Sequence, residues 1–252
     1  MIIGVRKIEC QKISDYKQSK RLLPFWIATY TFNYLSEPFD KRILDIIEAE
    51  GLRLASVVNA KAANDSTIKR SQDRKRSNAI AGVLAEYCWK HFINSHSLEL
   101  LVKETTYEVA ASQIDLQKIK NNKTIEVRSS FPRNGIEFAI CSPTYQFDIL
   151  GPYKNNYKPD EIQKDYYLRT LFHVPSPISF LTEFKKNGFT VYLTGGSTWE
   201  LMADDAVAIE KSLVPEDDIN DIEIKSVYRV IPFSRALDCK EILKAITEKE
   251  AQ

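Results

Sequence analysis

The chain has 252 residues, which is enough for one large domain or for a core with an added segment. Its 44% hydrophobic and 27% charged residues are typical of a globular protein, and its formal net charge of +1 means that a nucleic-acid partner would have to be recognised by local patches. The N-terminus lacks a signal-peptide apolar region, and no apolar run approaches transmembrane length. We therefore expect a soluble, cytoplasmic protein without a membrane contact.

The four cysteines are widely spaced along the chain and form no C-x-x-C pair. They are Cys10, Cys88, Cys141 and Cys239. This spacing argues against a zinc ribbon and against a disulfide framework. Cys88 lies inside an apolar helical stretch, so we expect it to be a reduced thiol in the core.

The first 65 residues contain an aromatic-rich run at 23–35 that predicts a buried strand, with a helix left open as the alternative. Residues 39–50 place Ile43, Ile46 and Ile47 at helical spacing, and Gly51 predicts the end of that helix. Residues 52–60 then predict a strand. We interpret residues 1–65 as an N-terminal segment packed on the core and residues 66–252 as the main domain.

A strong helix is predicted from Ser77 onward, because apolar residues recur at three- and four-residue steps along one buried stripe. Glu86 is the one carboxylate inside this apolar stretch. It is either an acid with a role in a site or a satisfied polar residue at the edge of the stripe.

Five cations lie close together just before or at the start of this helix. They are Lys69, Arg70, Arg74, Lys75 and Arg76. Because the cluster leads directly into the helix that carries Glu86, its side chains could contact a phosphate backbone near that residue. The alternative is a solvated surface, which is what most charge runs are.

Residues 112–130 predict a β-hairpin, because two alternating runs flank Asn121 and Asn122, a pair that tolerates the positive φ angles of a two-residue turn. With that turn, Asp115 lies opposite Arg128, and four polar side chains share one face. The polar face has Asp115, Gln117, Glu126 and Arg128, and the apolar face has Ile114, Leu116, Ile125 and Val127. Two carboxylates and a cation can hold a hard divalent metal against a phosphate. The alternative is the wet face of a half-buried hairpin.

After the hairpin, the patterns predict strands at 136–141, 165–174, 189–194 and 227–231, and helices at 199–211 and 239–248. Residues 194–198 (T-G-G-S-T) look like a phosphate loop but lack the following lysine and the full glycine spacing. They predict a turn at the end of a strand.

The order of these motifs resembles the PD-(D/E)XK nuclease superfamily, including uncharacterised members associated with phages and mobile elements. The motifs are the helix G-V-L-A-E-Y-C, the strand I-D-L, the strand T-I-E-V-R-S-S, and the later strands K-D-Y-Y-L-R and V-Y-L-T-G-G-S. The resemblance covers roughly residues 70–240 and is an analogy at the level of the fold.

The resemblance implies an α/β fold with a restriction-endonuclease-like core, in which helices flank a mixed central sheet. It implies a Mg²⁺-dependent endonuclease acting on DNA, with Mn²⁺ as a substitute. Asp115 and Glu126 would be the metal carboxylates, the Val127 carbonyl a further ligand, and Glu86 the helix carboxylate that reaches the same metal. Many nucleases of this fold cut duplexes as dimers, so a homodimer is an open alternative.

Arg128 departs from the family pattern, which has a lysine at this position. Arginine keeps the charge and the hydrogen-bond donors, but it cannot act as a general base because its pKa exceeds about 12. Two functions therefore stay open. Arg128 is part of an active nuclease centre, or the chain is a weak or inactive nuclease fold that binds nucleic acid or protein.

Overall fold

The strands that the structure describes form two β-sheets that pack face to face. The computed structural model describes residues 1–9, 24–57, 71–105, 115–142, 147–154, 161–213 and 226–248. The strands are β1 (Ile2–Ile8), β2 (Phe25–Asn33), β3 (Val102–Glu104), β4 (Leu116–Lys118), β5 (Thr124–Ser130), β6 (Asp148–Lys154), β7 (Tyr166–Phe172), β8 (Asn187–Thr198), β9 (Ile209–Leu213) and β10 (Ser226–Pro232). The helices are α1 (Pro38–Val57), α2 (Gln72–Asn94), α3 (Ile136–Cys141), α4 (Phe180–Glu183), α5 (Trp199–Ala203) and α6 (Cys239–Glu248).

The larger sheet has seven strands in the order β1-β2-β8-β7-β5-β4-β3, and the smaller sheet has three in the order β6-β10-β9. The pair β5–β7 is parallel and the other pairs are antiparallel, so the large sheet is mixed and the predicted α/β class is confirmed. The first two strands, β1 and β2, belong to this sheet, because β2 pairs with β8. The predicted domain boundary at residue 65 lies outside the described residues.

Side chains alternate across the large sheet, and each face has its own hydrophobic core. Along β7, Tyr166 and Leu168 point to the face covered by α1, α2 and α6. Tyr167 and Leu171 point to the opposite face, which is covered by the small sheet with α3 and α5. The large sheet is therefore the middle layer, and the side chains between the two sheets are shielded from solvent.

Helix α2 is fixed on the large sheet by its apolar stripe and by one buried hydrogen bond. Its N-terminal cap is Ser71, whose hydroxyl accepts a hydrogen bond from the Arg74 N–H at 3.2 Å, so the helix begins earlier than the predicted Ser77. Near its other end, the Trp89 indole N–H donates to the Thr170 hydroxyl on β7 at 3.0 Å. None of the helices in the described residues combines the length and apolar composition needed to cross a lipid bilayer.

Gly51 does not end α1, which continues to Val57, so the predicted strand at 52–60 is wrong over 52–57. The glycine allows close helix packing, because a Cβ at this position would lie 2.6 Å from the Cα of Ile80 on α2. The strand predicted at 136–141 is also wrong. This segment is α3, and its buried residues Ile136, Ala139 and Ile140 have helical spacing.

The strands predicted at 23–35, 165–174, 189–194 and 227–231 are confirmed as β2, β7, β8 and β10, and the helix at 239–248 is confirmed as α6. The helix predicted at 199–211 is shorter, because α5 ends at Ala203 and β9 follows. Residues 194–198 are the buried end of β8 and not a turn. Their glycines permit close backbone contact, since a Cβ on Gly196 would lie 2.3 Å from the Tyr167 carbonyl oxygen.

The cysteines follow the predictions in part. Cys88 is a buried free thiol, as expected, and so is Cys239. Burial raises the pKa of the Cys88 thiol well above its usual range, so it stays protonated. Cys141 is disulfide-bonded, which the spacing of the cysteines did not predict. Cys10 lies outside the described residues.

Two helical glycines provide a matched test of the α1–α2 packing. We expect Gly51→Ala to lower the free energy of unfolding by about 1–3 kcal/mol, because the added methyl group overpacks against Ile80. Gly82→Ala is the control, since a Cβ there meets nothing within 4 Å, and we expect it to raise stability by up to about 1 kcal/mol. Urea unfolding measures both. A Gly51→Ala protein as stable as the wild type would contradict this packing.

Candidate functional site

The turn of the predicted hairpin has four residues, not two. The Lys118 N–H donates to the Lys123 carbonyl oxygen at 2.8 Å, which closes the loop at residues 119–122. Asn122 has a positive φ of 56°, but Asn121 does not. A two-residue type I′ turn requires positive φ at both central residues. The predicted turn is therefore wrong, because one asparagine alone adopts the left-handed conformation.

The longer turn moves the strand pairing by two residues. Leu116 lies opposite Ile125, and the Asp115 N–H also donates to the Ile125 carbonyl oxygen, so Asp115 does not lie opposite Arg128 as predicted. Because side chains alternate with a period of two, this shift keeps the side chains of the paired residues on their predicted faces. The predicted pairing is wrong, but the two carboxylates are close enough that the charge of Asp115 raises the pKa of Glu126.

The apolar face of the hairpin is confirmed for the described residues. Three of its members are buried, namely Leu116, Ile125 and Val127. Ile114 lies outside the described residues. On the polar face, the Gln117 side-chain amide donates to the Asn122 carbonyl oxygen at 3.2 Å, so this side chain stabilises the turn.

Asp115 lies at the start of β4 and is held by the backbone of β5. Its Oδ2 accepts a hydrogen bond from the Val127 N–H at 2.6 Å, and its own N–H donates to the Ile125 carbonyl oxygen at 3.1 Å. Burial and the nearby carboxyl group of Glu86 raise the pKa of Asp115 well above its usual range. The N–H and the carbonyl of a strand residue point to the same side, so the Val127 carbonyl faces the Asp115 side of β5 as well.

Glu126 is 4% exposed and uses its two oxygens differently. Its Oε1 lies 2.6 Å from Nη2 of Arg128, whereas its buried Oε2 has no hydrogen-bond partner. Burial raises the pKa of Glu126 to about 8; the charge of Arg128 opposes this shift, and the charges of Glu161 and Asp115 add to it. Burying a carboxylate oxygen without a hydrogen-bond partner costs folding free energy. Oε2 of Glu126 is therefore available to bind a cation or a hydrogen-bond donor.

The guanidinium of Arg128 contacts both acidic and aromatic side chains. Its Nη2 donates to both oxygens of Glu161, at 3.2 and 3.1 Å. The guanidinium carbon also lies 5.1 Å from the ring centre of Tyr153 on β6 and 5.6 Å from that of Tyr228 on β10. Burial works against the charged form, but Glu126 and Glu161 outweigh it and raise the pKa of Arg128. Nη2 is thus engaged by Glu126 and Glu161, whereas the buried Nε has no hydrogen-bond partner among the described residues.

Glu86 lies on the part of α2 that faces the hairpin and is half-buried. Burial raises the pKa of Glu86 to about 7, and the charges of Glu104 and Glu50 add to the shift, while Lys90 opposes it. The charge of Glu86 in turn raises the pKa of Asp115. The helix carboxylate and the hairpin carboxylate are therefore close enough to influence each other.

Lys164, which the sequence did not single out, is a fully buried lysine just before β7. Its Nζ donates to the Ile162 carbonyl oxygen at 2.6 Å, and its N–H donates to the Tyr167 hydroxyl at 3.0 Å. Burial lowers the pKa of Lys164, although Glu126, Glu161 and Asp115 oppose this effect. Its charge in turn lowers the pKa of Asp115 and of Glu126, so the ammonium belongs to the same site.

Within the described ranges, no three acidic, histidine or cysteine side chains converge to enclose a metal ion. Mg²⁺ does not need such a cage, because it keeps several waters and is usually held by one or two carboxylates together with substrate phosphates. The hard oxygens of Asp115 and Glu126, with the unpaired Oε2 of Glu126 among them, fit this kind of binding.

The basic cluster is described in part, since Lys69 and Arg70 lie outside the described residues. Arg74, Lys75 and Arg76 lie in the first turns of α2, where the helix dipole adds positive charge. Arg76 pairs with Asp73 at 3.4 Å, and both side chains are about half exposed. At the rise of an α-helix, these cations lie about 15–18 Å along α2 from Glu86.

The chain is 26% identical over 257 residues to an uncharacterised protein of Methanocaldococcus jannaschii, and the alignment covers 87% of each protein. No family model and no solved structure matches the chain. The similar protein carries no functional name, so the functional argument depends on the geometry of the site.

The binding of Arg128 can be tested with two glutamates that differ in burial. We expect Glu161→Gln to lower the free energy of unfolding by about 3–5 kcal/mol, because it leaves a buried guanidinium short of one anion. Glu210→Gln breaks the exposed ion pair with Lys154 and should change stability by less than about 0.5 kcal/mol. Guanidinium unfolding of the two variants gives the comparison, and equal effects would contradict the role assigned to Glu161.

Proposed function

We propose that the protein is a metal-dependent nuclease of the restriction-endonuclease-like type that hydrolyses phosphodiester bonds of DNA. One observation carries this proposal. The carboxyl groups of Asp115 and Glu126 are close enough that the charge of Asp115 raises the pKa of Glu126, and the buried Oε2 of Glu126 has no hydrogen-bond partner among the described residues. Buried carboxylates normally have partners, so this arrangement favours a ligand that is a hard cation.

Asp115 and Glu126 would hold the divalent metal, with the Val127 carbonyl as a backbone ligand and Glu86 acting directly or through water. When bound, Mg²⁺ or Mn²⁺ supplies stabilisation of negative charge on the phosphate and makes a nearby water more acidic. Asp115 is oriented for this role by the Val127 N–H, which fixes its Oδ2. Asp115 and Glu86 are both half-buried, so a substrate would approach the metal from their side.

Lys164 would orient the attacking water and accept or hold its proton. It is an amine with a lowered pKa beside two carboxyl groups, and buried lysines of this kind serve as general bases. Arg128 would act through Glu126 by fixing Oε1, because its Nη2 is engaged by Glu126 and Glu161. This division of roles allows hydrolysis without a lysine at position 128.

The alternative function is an inactive nuclease fold that binds nucleic acid or protein. The close ion pair between Glu126 and Arg128, together with the 4% exposure of Glu126, favours this alternative. In that case Arg128 neutralises the carboxylate in place of a metal. A homodimer remains part of the nuclease proposal, since cleavage of both strands of a duplex would use a second copy of the site.

Cleavage assays separate the two functions. We expect the wild type to cut single-stranded, duplex or branched DNA with Mg²⁺ or Mn²⁺, and Asp115→Asn and Glu126→Gln to abolish cutting. Lys164→Met should lower the rate by about 10²- to 10⁴-fold, which is the usual contribution of general-base assistance. Lys154→Met, at an exposed lysine of the small sheet, is the control and should cut at the wild-type rate.

Two results would count against the nuclease. Cutting that survives both carboxylate substitutions would show that a different site or a contaminant is responsible. A wild type that cuts none of these substrates with either metal would favour the binding module.

The described cations of α2 give a separate test of DNA binding, which does not require cleavage. If Lys75 and Arg76 each neutralise one phosphate, the double variant Lys75→Gln/Arg76→Gln should flatten the log–log slope of affinity against salt by about 1.8. The control is Lys185→Gln/Lys186→Gln, which removes two cations paired with Glu48 and Glu183. Fluorescence anisotropy in EDTA measures the slopes, and a slope unchanged from wild type would make this cluster a solvated surface.

A further inference from the structure

Arg169 is a buried guanidinium whose hydrogen-bonding capacity is largely unused. It lies on β7, directly beside Arg128 in the parallel pairing with β5, and it is 2% exposed. Its Nη2 donates to the Ser130 hydroxyl at 2.9 Å, but its Nε and Nη1 are buried without any hydrogen-bond partner. The Nε of Arg128 is also buried without a partner. Three N–H-bearing nitrogens of two adjacent arginines therefore lack acceptors.

Among the residues that the structure describes, none forms an ion pair with Arg169. Asp148 is the carboxylate whose charge favours the ionised form, but it pairs with Lys211 at 2.7 Å. Burial lowers the pKa of Arg169 to about 10, so the side chain is still a cation at neutral pH. A buried unpaired cation with unsatisfied donors is strongly unfavourable, and such a group in a folded protein calls for a bound anion or water.

We propose that Arg169 and Ser130 form a binding site for a phosphate-sized oxyanion between the two sheets. A guanidinium presents planar donors that match phosphate oxygens, and it binds them more strongly than a neutral donor does. The Ser130 hydroxyl accepts from Arg169, so its own hydrogen is free to donate to the anion. Ser130, which lies on the same face of β5 as Arg128, is half-buried, so the anion can reach its hydroxyl from solvent.

The position of this oxyanion site relative to the carboxylates suggests its natural ligand. Arg169 is one strand and two residues away from Glu126, which corresponds to about 8 Å between their Cα atoms at ordinary strand spacings. This distance is comparable to the separation of neighbouring phosphates along one nucleic-acid strand. That the oxyanion is a phosphate of the DNA next to the cleaved bond rests on the proposed nuclease function, whereas oxyanion binding itself does not.

Thermal unfolding of the full chain in EDTA tests the site without metal or cleavage. We expect inorganic phosphate, compared with chloride at equal ionic strength, to raise the Tm of the wild type by about 5 °C with a saturating dose dependence. Arg169→Met should lose this response, and Arg235→Met, at an exposed arginine that donates to the Ala206 carbonyl oxygen, should keep it. A wild type that does not respond, or an Arg169→Met protein that responds like the wild type, would overturn the proposal.

Arg169→Lys covers the case in which the methionine variant does not fold. It keeps the charge but loses the planar set of donors, so the phosphate-dependent rise in Tm should fall to less than half, and an undiminished rise would overturn the site.

A short single-stranded oligonucleotide, added in the same buffer, identifies the source of the phosphate. Stabilisation by the oligonucleotide that depends on Arg169 supports a nucleic-acid phosphate. Stabilisation by inorganic phosphate alone supports the oxyanion site and removes its link to the nuclease.

Discussion

The guanidinium of Arg128 joins both sheets, and the geometry of the site depends on it. It extends from β5, lies between the rings of Tyr153 and Tyr228 on the small sheet, and pairs with Glu126 and Glu161. Glu161 is further fixed by the Tyr153 N–H at 2.9 Å. Because buried ion pairs lose about as much in desolvation as they gain, this arrangement contributes specificity more than stability. It determines which oxygen of Glu126 is engaged and which is left for a ligand.

Charges of opposite sign are separated along the strands beside this pair. Asp115, at the start of β4, lies on the side of β5 away from Arg169, and the pKa values of Asp115 and Glu86 are raised. Arg169 lies on the other side with unused donors. This separation would suit a DNA strand that binds the metal ion through one phosphate and the guanidinium of Arg169 through the next phosphate. The proposed metal site and the proposed oxyanion site are thus two parts of one electrostatic arrangement.

Local patterns in the sequence predicted the elements that depend on periodicity. The faces of the hairpin, β7, β10 and α6 follow from alternation or helical spacing and are confirmed. Features that depend on distant partners were missed. Gly51 matches the pattern of a helix end, because its close contact with Ile80 joins distant parts of the chain and is invisible in the local sequence. The two-residue turn fails at 119–122 because Asn121 does not adopt a positive φ.

The same distinction applies to the site. Asp115, Glu126 and Glu86 could be found from the sequence, because a carboxylate stands out on an apolar background. Lys164, Glu161 and Arg169 could not, because the parallel pairing of β5 with β7 brings them beside the hairpin from 33 to 41 residues away. The sequence indicates only that these three residues lie just before or within the strand predicted at 165–174.

The most direct test of the central claim, that Asp115 and Glu126 bind a divalent cation, is calorimetric titration of Mn²⁺ as a function of pH. We expect a single site whose affinity rises between pH 6 and 8, because carboxyl groups with raised pKa values, about 8 for Glu126, must lose their protons before the metal binds. The double variant Asp115→Asn/Glu126→Gln should bind no Mn²⁺, while Glu210→Gln should bind as the wild type does. Equal binding by the double variant and the wild type, or no binding by the wild type at pH 8, would contradict the account.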